Sequence, residues 1–222
     1  MVFLLELSCA PIFTKLTFEG GFHGGNPKHP EFRELCTRWF QYGGLTFAYN
    51  CWQHSRRTDK SLGCFCPVFR LHGHREPMQP QHGTTGGATC ISGAPNEVWS
   101  YGAECYEIMK KYLFLRERLR PYVRELMTQA HEKGTPVIRT LFFEFPDDEK
   151  CWEIEDQYLF GSKYLVAPVL HKGMEKREVY LPKGAKWRRF DDGEVKDAEE
   201  VEGGKTVEVD CPLAVMPVFE RV

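Results

Sequence analysis

Apolar residues at Phe32, Leu35, Cys36, Trp39 and Phe40 mark one face of a helix between Pro30 and Tyr42. Pro30 suits the first turn and Gly43 the stop. From Cys64 to His72 the pattern turns to alternation, with Val68, Arg70 and His72 on one face of a strand and Phe69 and Leu71 on the other. The strongest helical signal follows: Tyr101, Cys105, Ile108, Tyr112, Leu115, Leu119, Tyr122 and Leu126, spaced by alternating fours and threes. Such spacing also suits a coiled coil, but Pro121 interrupts it. The run is read as the core face of a globular domain, in one kinked helix or in two helices with Pro121 opening the second. Gly134 and Pro136 punctuate its end.

After Pro136 the period changes. The runs 137–145, 164–170, 177–181 and 206–210 read as short strands, separated by turns at Pro182-Lys-Gly, Asp191-Asp-Gly and Gly203-Gly. The fold class is therefore α/β to about residue 135, then all-β as a small antiparallel sandwich. The segment from Gly44 to Gly63 is polar and basic, with Gln53, His54, Arg56, Arg57, Asp59 and Lys60 and no sustained apolar period. It is expected outside the packed core.

Length and charge narrow the class. The chain has 222 residues, 42% hydrophobic and 27% charged, enough to bury a core in one large domain or two small ones. A net charge of −2 gives no electrostatic footprint for nucleic acid or an anionic membrane. No apolar run approaches the ~18 residues a spanning helix needs. The start, Met1 to Ala10, lacks a basic n-region and is interrupted by Glu6, so it is read as no export signal. Nine cysteines, an odd number spread along the chain, fit reduced thiols in a cytoplasmic protein better than a disulfide scaffold.

Most candidate chemistry dissolves on inspection. Cys64, Cys66, His72 and His74 would stretch over roughly 30 Å on a strand, too far for one zinc ion, and no metal or other cofactor is expected. The loop Gly83-Thr-Thr-Gly-Gly-Ala lacks the lysine of a phosphate-binding loop and is read as surface. Asp147-Asp148 and Asp191-Asp192 are sequence neighbours, not carboxylates placed across a bond, and are expected as solvated turn residues. Arg70 and His72 stand apart, two polar groups on one strand face. They form either a satisfied polar pair near a sheet end or a clamp for a sugar or anion.

Several ordered motifs resemble glycoside hydrolase family 31, most closely its α-xylosidase branch. They are Gly20-Gly-Phe-His-Gly-Gly, Arg38-Trp-Phe-Gln-Tyr-Gly, Phe65-Cys-Pro-Val-Phe-Arg-Leu-His-Gly-His-Arg-Glu-Pro77 and Leu115-Arg-Glu-Arg-Leu-Arg-Pro-Tyr122. Gly134-Thr-Pro-Val-Ile-Arg, Phe142-Phe-Glu-Phe-Pro, Asp156-Gln-Tyr and Leu165-Val-Ala-Pro-Val continue the series. The resemblance implies the C-terminal part of a TIM-type (β/α)8 barrel over residues 1–135, then a proximal β-sandwich domain over 136–222. Working residues of such barrels sit at the strands' carboxyl ends. The family's retaining chemistry uses one Asp as nucleophile and another as general acid/base. Both lie before the segment resembling Gly20-Gly21-Phe22, so neither has a counterpart in this sequence. A further sugar-binding Asp of the family aligns with Phe18. What carries over is His72, matching a histidine that hydrogen-bonds sugar hydroxyls, with Arg70 and Phe22 lining the same subsite.

The family pattern breaks over Met1 to Glu19 and over 44–63, the latter expected as an insertion or a retained intron. The expected function is that of a family 31 α-glycosidase fragment, inactive alone, whose substrate class is an α-linked xyloside or glucoside. Two alternatives stand beside it. One is a non-catalytic sugar- or partner-binding protein built on the β-sandwich. The other is an enzyme completed by a partner chain carrying the missing aspartates.

Overall fold

The computed structural model describes residues 22–23, 28–45, 73–74, 98–191 and 199–222, with 22–23, 44–45 and 73–74 given by backbone alone. Strand β1 (Phe22–His23), helix α1 (Pro30–Leu45) and strand β2 (Gly73–His74) come first. The two strands pair in parallel, Phe22 opposite Gly73 and His23 opposite His74. A 3-10 turn (Val98–Tyr101) leads into the long helix α2 (Ala103–Lys133).

Helix α1 does not stop at Gly43 but runs on to Leu45. A glycine lowers helix stability by about 1 kcal/mol without forbidding the conformation, and the turn before it is held by buried Phe40 and Gln41. Helix α2 is a single helix with Pro121 inside it, which removes the two-helix alternative. Pro121 and Glu117, whose carbonyl the proline leaves without its usual partner, are both exposed, so water can satisfy that carbonyl. Its buried face contains the expected stripe from Cys105 on, with Tyr101 buried in the 3-10 turn before it, adds Met109 and Val123, and leaves Tyr122 half-buried. The helix closes on Gly134, left-handed at φ 69°, whose N–H donates to the Ala130 carbonyl.

Beyond Gly134 the chain is mainly antiparallel sheet. Strands β3 (Ile138–Arg139), β4 (Tyr158–Phe160), β5 (Tyr164–Val166), β7 (Lys186–Arg189), β8 (Val201–Glu202) and β10 (Val218–Arg221) form one sheet in the order β3-β4-β5-β10-β7-β8. Strands β6 (Lys176–Leu181) and β9 (Lys205–Asp210) form a separate antiparallel ladder. The middle strands of the six-stranded sheet, β4, β5 and β10, are buried on both faces. Tyr158, Phe160, Tyr164, Val166 and Val218 pack with α1 and α2, while Leu159, Leu165, Trp187 and Phe219 pack against Val179, Leu181 and Val209 of the ladder. The chain is thus layered as helices, sheet and ladder, the last two making a small sandwich.

The apolar run 137–145 was expected as one strand and is not. Only Ile138–Arg139 joins the sheet, and Leu141–Glu144 forms a one-turn helix, α3. Leu141 and Phe145, four apart, both enter the core of the sandwich, and consecutive apolar residues carry no period that separates the two outcomes.

Helix α2 grips the sheet through two tyrosines. The Tyr112 hydroxyl accepts the Met216 N–H at 2.9 Å. The Tyr122 hydroxyl donates to the Phe160 carbonyl at 3.1 Å and accepts the Lys163 N–H at 3.2 Å, clasping the β4–β5 turn. Gly161 lies in that turn at φ 63°, and a Cβ there would meet the Tyr122 hydroxyl and lie 2.6 Å from Leu126 Cδ2. Gly161→Ala is expected to destabilise the chain by about 2–5 kcal/mol, the sum of left-handed strain and overpacking. Denaturant unfolding of this variant checks it, and a change under about 1 kcal/mol would contradict the clasp.

Candidate functional site

Parallel strands joined through a helix form a right-handed crossover unit in nearly every known sheet. Here α1 lies between the paired strands β1 and β2 in sequence, and the pairing places the backbone of Phe22 beside Gly73, the residue after His72. Arg70 and His72 lie outside the described residues, as do Phe18, Cys64, Cys66, the loop 83–88 and residues 46–63 of the expected insertion. Gly44 and Leu45, its first two residues, belong instead to α1. Among the described residues no group of His, Cys, Asp or Glu side chains is arranged to hold a metal ion, and no helix is long and apolar enough to cross a membrane.

What fixes α1 to the β part is a buried arginine. Arg38 is 6% exposed and donates to the carbonyls of Cys211 and Val215 at 2.8 Å, Pro212 at 3.1 Å and Met174 at 3.4 Å. Gln41, one turn on, donates to the Leu213 carbonyl at 2.6 Å. Burial pulls the Arg38 guanidinium below its ordinary pKa, opposed by the nearby Cys211 and Glu34 side chains. A planar fork of fixed donors suits converging carbonyls in a way a lysine ammonium does not. Helix α1 is therefore locked to the stretch 211–215 that leads into β10. The helical period carried no signal for them: at about 100° per residue Gln41 falls nearly opposite the centre of the apolar stripe and Arg38 well away from it.

Buried carboxylates organise the sandwich. Asp148, expected as a solvated turn residue, is 3% exposed, and its Oδ2 accepts the Tyr180 hydroxyl at 2.7 Å and the Lys183 N–H at 2.9 Å. Asp191 likewise leaves the solvated class, accepting the Val218 N–H at 2.9 Å and pairing with Arg189. Glu220, in the central strand, pairs with Lys163 at 2.7 Å and Arg188 at 3.0 Å. Burial pushes the Asp148 carboxyl up, but the Lys183 N–H and Tyr180 hydroxyl outweigh it and hold the pKa below its ordinary value. Burial acts the same way on Glu220, and Lys163 with Arg188 outweighs it.

Those directions fix a pH dependence. Unfolded Asp and Glu take up protons near 3.8 and 4.5, and the folded groups do so only at lower pH. Acid therefore favours the unfolded chain, which binds more protons there. Stability from these two groups is complete above about pH 5 and is lost as pH falls through their folded values. Asp148→Asn and Glu220→Gln should lower stability at pH 7 and flatten its acid limb, read from unfolding curves between pH 3 and 7. An acid limb as steep in the double variant as in the parent would refute the assignment.

The cysteines described, Cys36, Cys105, Cys151 and Cys211, are free and buried. Burial pushes the Cys36 and Cys151 thiols up to about 12, which leaves them unreactive as nucleophiles at neutral pH.

Comparison with known proteins turns this framework into a family. Residues 134–222 match the glycosyl hydrolase family 31 C-terminal domain. A family 31 α-xylosidase from a soil metagenome, solved with xylose, superposes on 91% of this chain with a TM-score of 0.72 and 45% sequence identity. The chain belongs to glycoside hydrolase family 31. The α-xylosidase of Saccharolobus solfataricus is 30% identical over 216 residues, 97% of this chain and 23% of that protein. Alpha-glucosidase 2 of Bacillus thermoamyloliquefaciens is 32% identical over 186 residues, 84% of this chain and 18% of that protein. The chain spans about a quarter of the Saccharolobus α-xylosidase and of the soil-metagenome structure, 23% and 27%.

With the family in hand, its motifs in the β part take on physical roles. Arg139 of Gly134-Thr-Pro-Val-Ile-Arg pairs with Glu144 of Phe142-Phe-Glu-Phe. Asp156 accepts from Arg177 at 2.6 Å, and the Gln157 side chain both accepts from and donates to the Tyr180 backbone. These family 31 residues are cross-links between strands and turns.

Proposed function

We propose that this chain is the closing part of the catalytic barrel, residues 1–135, and the following β domain, 136–222, of a retaining α-glycosidase acting on α-linked xylosides or glucosides. The likeness to a xylose-bound α-xylosidase over 91% of the chain carries the reading. The parallel β1–α1–β2 unit supports it, since barrel strands are parallel and joined by helices. In this reading His72, Arg70 and Phe22 line the sugar subsite at the strands' carboxyl ends. The imidazole exchanges hydrogen bonds with sugar hydroxyls, Arg70 supplies charge-assisted donors, and Phe22 offers an apolar ring to the sugar's C–H face.

No bond-breaking carboxylate is assigned within the 222 residues. The nucleophile and the acid come from barrel strands that precede Gly20 in the family, so this chain alone does not hydrolyse. The β domain holds α1 in place through Arg38 and Gln41.

The test uses a polypeptide extended upstream to include both aspartates, with and without His72→Ala. Loss of one or two sugar hydrogen bonds should raise KM for an aryl α-xyloside about tenfold, with a smaller change in kcat. Unchanged kinetics in the variant would remove His72 from the subsite.

A further inference from the structure

The outer edge of the sandwich carries a second arrangement suited to sugars. A cleft of about 310 Å³ is lined there by Glu144, Pro146, Asp147, Lys183, Gly184 and Arg221, among others. That volume lies at the lower end of the ~300–1,000 Å³ usual for small-molecule clefts. Beside Pro146 stands Trp152, 59% exposed. One face of its indole stacks on Phe142, with ring centroids 4.6 Å apart and planes 11° from parallel. Its indole N–H donates to the Pro146 carbonyl at 3.0 Å. A lone exposed aromatic needs no explanation. This one is backed on one face and pinned at its polar edge, so a fixed apolar face is left open next to a polar cleft.

The polar groups of the cleft divide into engaged and free. Glu144 is taken by Arg139, with Arg221 at 3.8 Å, and Asp148 by Tyr180 and the Lys183 backbone. Among the described residues the Asp147 carboxylate makes neither hydrogen bond nor ion pair, and the Lys183 ammonium donates no hydrogen bond while its charge acts on Asp148. One is an acceptor and the other a donor. A polyanion would meet the carboxylates Glu144, Asp147 and Asp148, and a polycation would meet Lys183 and Arg221. A neutral polyol with one apolar face suits both the mixed charge and the indole.

We propose that Trp152, Asp147 and Lys183 form a binding site for a short neutral oligosaccharide, separate from the subsite assigned to His72. The sugar ring lies over the open face of Trp152, and its hydroxyls reach Asp147 and Lys183. A site there would hold a glycan chain on the β domain without taking part in bond cleavage.

Titration of the full 222-residue chain with maltotriose and with isoprimeverose tests this, followed by calorimetry and by the indole N–H resonances. Saturable binding at millimolar sugar is expected, with the Trp152 resonance moving. Trp152→Ala should weaken binding at least tenfold, equivalent to about 1.4 kcal/mol, and Trp152→Phe should restore part of it. Asp147→Asn should weaken it several-fold. Asp147 is exposed, so the unfolding midpoint should hold in Asp147→Asn. Trp152→Ala, which also loses the Phe142 stack and the Pro146 bond, should stay folded with a midpoint lower by a few degrees. His72→Ala should leave this binding unchanged. Absence of saturable binding, or binding that survives Trp152→Ala at full strength, overturns the proposal. Binding lost in His72→Ala and kept in Trp152→Ala overturns it too, while favouring the barrel subsite.

Discussion

Arg38→Ala is expected to lower the stability of the chain by about 3–5 kcal/mol, the range for breaking a buried charged interaction. The guanidinium is 6% exposed and serves four backbone carbonyls from Met174 to Val215. Alanine leaves those acceptors without the donor they share, and each buried unsatisfied group costs about 1–3 kcal/mol before relaxation. The contributions are not additive, so the total falls short of their sum. For a chain of this size the loss corresponds to a midpoint lower by roughly 6–20 °C. Lysine restores the charge but not the fork, so Arg38→Lys should recover only part of the difference. Midpoints of the two variants within a degree of the parent would show that α1 is held by its apolar face alone.

The second large effect is an absence of catalysis. Aryl α-xylosides and α-glucosides should stay intact in the presence of the 222-residue chain. Retaining hydrolysis needs two carboxyl groups about 5–5.5 Å apart, one of them with a raised pKa so that it can act as an acid. Several carboxylates of the β part are committed elsewhere: Glu144 to Arg139, Asp156 to Arg177, Asp191 to Arg189, Glu220 to Lys163 and Arg188. Where their pKa values are moved, as in Asp148 and Glu220, they are moved down, opposite to what a general acid requires. Purified chain that released aryl alcohol, and lost that activity on a single Asp or Glu substitution, would overturn the prediction.

How much of this was legible in the sequence varied with the physics involved. The buried stripe of α2 was readable because one face packs and the other is wet, which imposes a period. Strands β6 and β9 were readable for the same reason, their outer faces being largely exposed. Strand β4, Tyr-Leu-Phe, was not, because it is buried on both sides and has no alternation to show. Strand β7, Lys-Trp-Arg-Arg, hid because only Trp187 is buried and its arginines pair with Glu220 and Asp191. Asp148 looked like a turn residue by composition. Its role depends on Tyr180 and Lys183, more than thirty residues away, and no local pattern carries that distance. Arg38 was visible as part of a family-like motif, yet its carbonyl partners lie more than 130 residues further on. The candidate sugar contacts His72 and Arg70 rest on the family motif that carries them.

The central claim is that this chain supplies the closing barrel strands and the β domain of an α-glycosidase, but not its catalytic pair. The most direct measurement compares release of 4-nitrophenol from 4-nitrophenyl α-xyloside and α-glucoside by the 222-residue chain and by a polypeptide extended upstream through the two family aspartates. The account predicts hydrolysis of at least one substrate by the longer polypeptide and none above background by the shorter. Equal turnover by both, or none by a folded longer polypeptide on either substrate, would contradict it.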